Sequence, residues 1–298
     1  MTHHIATDRK ANLVGCFWMI AAMAIFAIED AFIKAASVML PVGQVLVIFG
    51  LGGAMVFAGV ALIKREPLFS PDVVSRPMLI RVVFEITGRL FYVLALSLIP
   101  LSAATVILQA TPLVIVAGAA LVFGEKVGWR RWTAIFVGLI GVVVIVQPGT
   151  DGFSALSILA ILGMIGFAGR DLASRAAPAL LSTTILGLYG FLSILVAGVL
   201  YAAWQGTPFV RPTAEISLYV LGAVLAGVAA YSCLMKAMRT GEVSAVTPFR
   251  YSRLLFGIAL GIGWFGEQLS LPMIAGSGLI VVSGLFIVWR GRQVSSTD

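Results

Sequence analysis

Histidine and cysteine are almost missing from this 298-residue chain, which has two of each. His3 and His4 lie in the polar stretch before the first apolar run, so histidine-based chemistry inside the apolar part is excluded. Cys16 and Cys233 fall inside apolar runs without the Cys/His spacing of a metal site, and read as small packing residues. Charge is scarce too: 11% of residues are charged, where a soluble domain carries roughly 25%. No Gly-x-x-x-x-Gly-Lys-Ser/Thr phosphate loop and no Gly-x-Ser-x-Gly nucleophile elbow occur. Together these gaps point away from an enzyme: no catalytic residue, metal ligand or cofactor is expected.

What is present is apolar sequence, 60% of the residues. A membrane-spanning helix needs about 20 mostly apolar residues. Runs of that length predict helices near 12–35, 41–63, 77–98, 101–123, 128–147, 154–175, 181–204, 214–237, 243–265 and 270–289. Pro41, Pro148, Pro178, Pro208 and Pro212 stand in or beside the breaks, where a helix need not continue. The first run is followed by another span and not by a cleavage site, so it reads as a retained helix. Alternate connections hold Arg9 and Lys10; Lys64, Arg65 and Arg76; Lys126, Arg130 and Arg131; Arg175; Lys236 and Arg239; and Arg290 and Arg292. The opposite set holds little beyond Arg211, so the positive-inside rule predicts both termini in the cytoplasm. The net charge of +7 is therefore a topology signal, the bilayer is the expected partner, and nucleic acid is not.

The chain repeats itself. Ser102-Ala103-Ala104-Thr105 returns as Ser244-Ala245-Val246-Thr247, and Phe123-Gly124-Glu125 as Phe265-Gly266-Glu267, both at a separation of 142. Phe26-Ala27, Asp30, Lys34, Ala35 and Ala36 return at a separation of 141 as Phe167-Ala168, Asp171, Arg175, Ala176 and Ala177. These matches predict an all-α integral membrane protein of about ten helices in two five-helix repeats, 12–148 and 149–290, between tails 1–11 and 291–298. An odd number of helices per repeat inverts the second copy, an arrangement that puts a binding site near the midplane and permits alternating access.

The paired five-helix halves, with Gly124-Glu125 and Gly266-Glu267 closing the fourth helix of each, resemble the drug/metabolite transporter superfamily and its EamA-type ten-helix members. The resemblance covers nearly the whole chain. It implies a secondary transporter of the bacterial inner membrane, most similar to exporters of amino acids, aromatic ones included.

Charged residues within the spans are the functional candidates, since an arginine at mid-membrane costs roughly 2.5–3.5 kcal/mol. Glu85, Arg89 and Tyr92 share one face of the third helix. There Glu85 either pairs with Arg89 or orients it toward a cavity lined by Arg89 and Tyr92. Arg250 and Arg253, with Tyr251 beside them and Pro248 inviting a kink, need a carboxylate from another helix or from substrate. Asp30 with Lys34, and Asp171 with Arg175, are repeat-related i, i+4 pairs that serve either as matching gates or as plain helix-end ion pairs. Gln109, Thr111 and Pro112 could open the fourth helix toward the cavity. Gly124 and Gly266 read as left-handed helix ends, each followed by a carboxylate favouring the start of the next helix.

Buried arginines, carboxylates and aromatic rings suit a small-molecule substrate such as an amino acid. A flavin, nucleoside or other metabolite is the alternative, and a receptor or scaffold without transport is another. Proton coupling through Glu29, Asp30 or Glu85 and passive facilitated export both fit the sequence, which leaves the oligomeric state open.

Overall fold

The computed structural model describes residues 2–124, 128–147, 154–176, 178, 181–240 and 246–295. Glu125, Lys126, Pro148, Ser244, Ala245 and the side chains of Arg175 and Thr247 lie outside the described residues. The helices are α1 (Thr2–Ser37), α2 (Val42–Ile63), α3 (Arg76–Leu98), α4 (Leu101–Leu108), α5 (Thr111–Phe123), α6 (Trp129–Val146), α7 (Ser157–Arg175), α8 (Thr183–Gln205), α9 (Ala214–Thr240), α10 (Ser252–Phe265) and α11 (Leu271–Ser295). Short 3-10 turns cover Pro71–Val74 and Thr247–Tyr251. Taking α4 with α5 as one broken span, and the Thr247–Tyr251 turn with α10 as another, gives the ten spans of an all-α membrane protein.

Six described segments, one of them α4 and α5 taken together as Leu101–Val122, are long and apolar enough to cross a bilayer, and Trp132–Val146 and Leu271–Phe286 are shorter apolar helices. The third span carries Arg76, Arg81, Glu85 and Arg89, which accounts for its low hydropathy. Leu51, Met55, Val83, Leu121, Leu225 and Val282 are among many large apolar side chains left exposed, a surface suited to lipid and not to water.

Both broken spans are broken where the sequence invites it. Proline lacks the amide hydrogen a helix interior needs. Pro112 opens α5 just after the interruption at Gln109-Ala110, and Pro248 sits within the 3-10 turn ahead of α10. Gly124 and Gly266 end α5 and α10 with φ of 67° and 64°, the left-handed conformation that costs glycine little.

Helices pair across the halves. α1 packs on α9 and α3 on α7, two contacts that exchange when the repeats are interchanged. α2 packs on α8, α4 on α10 and α6 on α11, each helix against its own counterpart. This is the pairing that a two-fold relation between inverted repeats generates. Small residues permit the closest crossing: a Cβ on Gly166 of α7 would fall 2.3 Å from the Gly88 Cα of α3.

Candidate functional site

α3 runs through the middle of the charged network, with Arg81, Glu85, Arg89 and Tyr92 four, four and three residues apart along one face. Arg81 and Arg89 are separated by about 12 Å at the helical rise of 1.5 Å per residue, so they serve different clusters.

The first cluster is sealed. Glu29 and Asp30 of α1 are 0% exposed. Arg89 donates to Glu29 at 2.6 Å, Arg253 of α10 donates to Asp30 at 2.5 Å, and the Tyr92 hydroxyl donates to Asp30 at 3.0 Å. Aromatic faces cover both cations: Arg89 lies 4.7 Å from the Phe49 ring centroid and Arg253 5.1 Å from that of Phe26. Two guanidiniums, 10% and 14% exposed, thus face two fully buried carboxylates, for which losing a partner would be costly.

The second cluster is partly open. Arg170 and Asp171 of α7 pair at 2.8 Å, and Arg170 also reaches Glu85 at 3.3 Å. Arg250, from the 3-10 turn, reaches Asp171 at 3.5 Å, and Arg81 reaches Glu85 at 3.5 Å. Arg81 also donates to the Ser174 hydroxyl at 3.0 Å. The side chains of Arg170, Asp171 and Arg250 are 24%, 22% and 26% exposed. Phe167 lies under Arg170 with 4.8 Å from guanidinium to ring centroid, and Tyr231 sits within electrostatic reach of Arg81, Glu85, Arg170 and Asp171.

Several expectations need correction. Glu85 and Arg89 do not form an ion pair with each other; Glu85 belongs to the second cluster and Arg89 to the first. Asp30 and Lys34 do not pair either, because Asp30 is taken by Arg253 and Tyr92. Lys34 instead donates to the carbonyls of Leu96 and Ile99 at 3.0 and 2.6 Å. Arg250 and Arg253 share no ligand, since each goes to a different aspartate. Tyr251 packs its ring against Gly284, and its buried hydroxyl has no hydrogen-bond partner among the described residues. Gln109, also buried, donates its amide to the Arg250 backbone carbonyl at 3.0 Å, so it ties the two broken spans together. Glu267 does not serve its own following helix; its carboxylate accepts from the amides of Leu101 and Ser102 at 2.5 and 2.9 Å, at the start of α4.

Comparison with known proteins agrees with this architecture. The chain is 26% identical over 289 residues to a riboflavin transporter of Rhizobium johnstonii, covering 95% of this chain and 94% of the relative. It is 26% identical over 294 residues to a riboflavin transporter of Vibrio cholerae, covering 94% and 95%. An S-adenosylmethionine uptake transporter of Rickettsia prowazekii is 26% identical over 228 residues, covering 75% and 76%. A crystal structure of another protein superposes with a TM-score of 0.61 at 19% identity, covering 96% of this chain and 99% of that one, which speaks to the fold alone. The EamA-like transporter family matches twice, at 13–147 and at 155–289. The chain therefore belongs to the EamA-like transporter family.

Proposed function

We propose that this transporter is an alternating-access carrier for an uncharged metabolite built on a fused heteroaromatic ring, of the riboflavin class. Its binding site is the cluster of Arg81, Glu85, Arg170, Asp171 and Arg250. The observation that carries this reading is the accessibility of Arg170, Asp171 and Arg250 in that cluster, with Arg81 and Glu85 buried behind them and aromatic rings beside them. Guanidinium donors suit the ring carbonyls of a flavin, while the hydroxyls of its side chain can donate to Glu85 and Asp171. The half-buried Tyr231 is the ring beside these groups placed to meet a flavin, while Phe167 is buried and supports Arg170 from beneath.

Charge separates the flavin from S-adenosylmethionine, the other cargo named among the relatives. Three guanidiniums stand against two carboxylates in the open cluster, a formal excess of one positive charge. A sulfonium cation is repelled there, and an uncharged flavin is not. Amino acid export has no support in the relatives' names, so the flavin alternative takes its place.

With both termini in the cytoplasm of a bacterial cell, Asp171 lies toward the inner end of its helix and Lys34 toward the outer end of α1. The open cluster is then reached from inside, and the sealed cluster stands between it and the outside. Binding tests the reading directly: flavin fluorescence is titrated against purified protein in detergent. Saturable quenching that Arg250→Ala abolishes and S-adenosylmethionine does not compete away is the expected result. Equal competition by S-adenosylmethionine or phenylalanine, or no quenching at all, overturns it.

A further inference from the structure

One end of the bundle carries a set of contacts that the binding site does not use. The turn Ile99-Pro100-Leu101 joins the end of α3 to the start of α4 and is gripped on both sides. On one side Lys34 of α1 donates to the Leu96 and Ile99 carbonyls at 3.0 and 2.6 Å, placing a cation at the C-terminal end of α3. On the other side the Glu267 carboxylate accepts from the Leu101 and Ser102 amides and from the Ser102 hydroxyl, the last at 2.6 Å, placing an anion at the N-terminal end of α4. Each charge has the sign that the exposed backbone groups of that helix end favour.

The two grips belong together. Lys34 lies 5.5 Å from the centroid of the Phe265 ring, two residues before Glu267, and feels the Glu267 charge. Glu267 folds back because Gly266 ends α10 in the left-handed conformation. It then lies so close over Gly261 that a Cβ there would sit 2.5 Å from its Oε2 atom. Just inside the grip, α4 and α10 meet without a gap: a Cβ on Gly257 would fall 2.5 Å from Thr105. The seam between the two broken spans, one from each repeat, is therefore closed at its end by Glu267.

We infer that Lys34 and Glu267 form a latch holding α4 against α10, and that this latch must release before the end of the carrier formed by the tips of α1, α3 and α10 can open. The inference rests on the alternating-access reading above but not on the identity of the cargo. The gate thus lies between the repeats and is not the i, i+4 pair of Asp30 with Lys34.

The test needs no substrate. With Cys16 and Cys233 replaced by serine, Thr105→Cys reports opening of the seam through its rate of labelling by a membrane-impermeant anionic thiosulfonate, and Ala237→Cys, buried between α9 and α1, reports general loosening. Glu267→Gln is expected to raise labelling at 105 by about tenfold, the factor that losing one charge-assisted hydrogen bond implies, while labelling at 237 is unchanged. Should Glu267→Gln fail to fold, Lys34→Met tests the same closure with the same expectation. Unchanged labelling at 105, or an equal rise at both positions, overturns the latch. Because the readout is closure and not transport, failure of the flavin assignment leaves this result standing, and the reverse holds as well.

Discussion

Asp30 and Asp171 occupy corresponding places in the two halves, each on the first helix of its repeat and four residues after Phe26 or Phe167. One is completely buried among Tyr92, Arg89, Glu29 and Arg253; the other, like Arg170 and Arg250 beside it, keeps about a quarter of its side-chain surface, while Arg81 and Glu85 behind it are buried. The difference comes from what surrounds the repeated residues. At the separation of 142, Glu85 corresponds to Gly227, Arg89 to Tyr231 and Arg253 to Thr111. Gly227 leaves room for Phe49 and Glu29 in the sealed cluster, whereas Glu85 adds a carboxylate to the open one. The two halves carry equivalent aspartates, and the difference in their neighbours leaves one fully enclosed and the other partly exposed.

The comparison can be broken most forcefully at the sealed cluster. Arg253→Ala leaves the Asp30 carboxylate buried without its cation, at an expected cost of about 3–5 kcal/mol, read as a large fall in the detergent melting temperature. A melting point within a degree of the parent protein would mean that the sealed cluster is not structural. The helix crossing that both clusters depend on comes next. Gly166→Ala forces α7 away from Gly88 of α3 and should cost about 1–3 kcal/mol by overpacking, seen by the same melt. Asp171→Asn sharpens the contrast: its side chain keeps 22% of its surface, so stability should fall by less than for Arg253→Ala, by about 1–2 kcal/mol, while flavin quenching is lost. The smallest effect is expected at Tyr251→Phe, within about 0.5 kcal/mol and without loss of binding, because the hydroxyl makes no bond among the described residues. A binding defect there would return Tyr251 to the substrate site.

The helices were legible because apolar runs and prolines mark them, and the observed ends fall within a few residues of the expected ones except at the N-terminus of α1, the C-terminus of α11 and the N-terminus of α10, which starts at Ser252 after a 3-10 turn and not at 243. The left-handed ends at Gly124 and Gly266 were legible for the same local reason. Pairing between side chains was not. Spacing places Glu85 and Arg89 on one face of α3, yet it says nothing about Arg170 or Glu29, which approach from other helices and compete for them. Arg81 was within reach of sequence reading, since it stands four residues before Glu85 on that face. Glu267 was not, because its partner amides lie 165 and 166 residues away and only the fold brings them together.

The most direct test of the carrier and its open site is counterflow: proteoliposomes loaded with unlabelled riboflavin take up external labelled riboflavin, with Arg250→Ala alongside. Saturable accumulation by the parent protein, lowered about tenfold or more in the variant as loss of a charge-assisted contact implies, is the predicted result. Uptake no better than that of empty liposomes, or full uptake by Arg250→Ala, would contradict it.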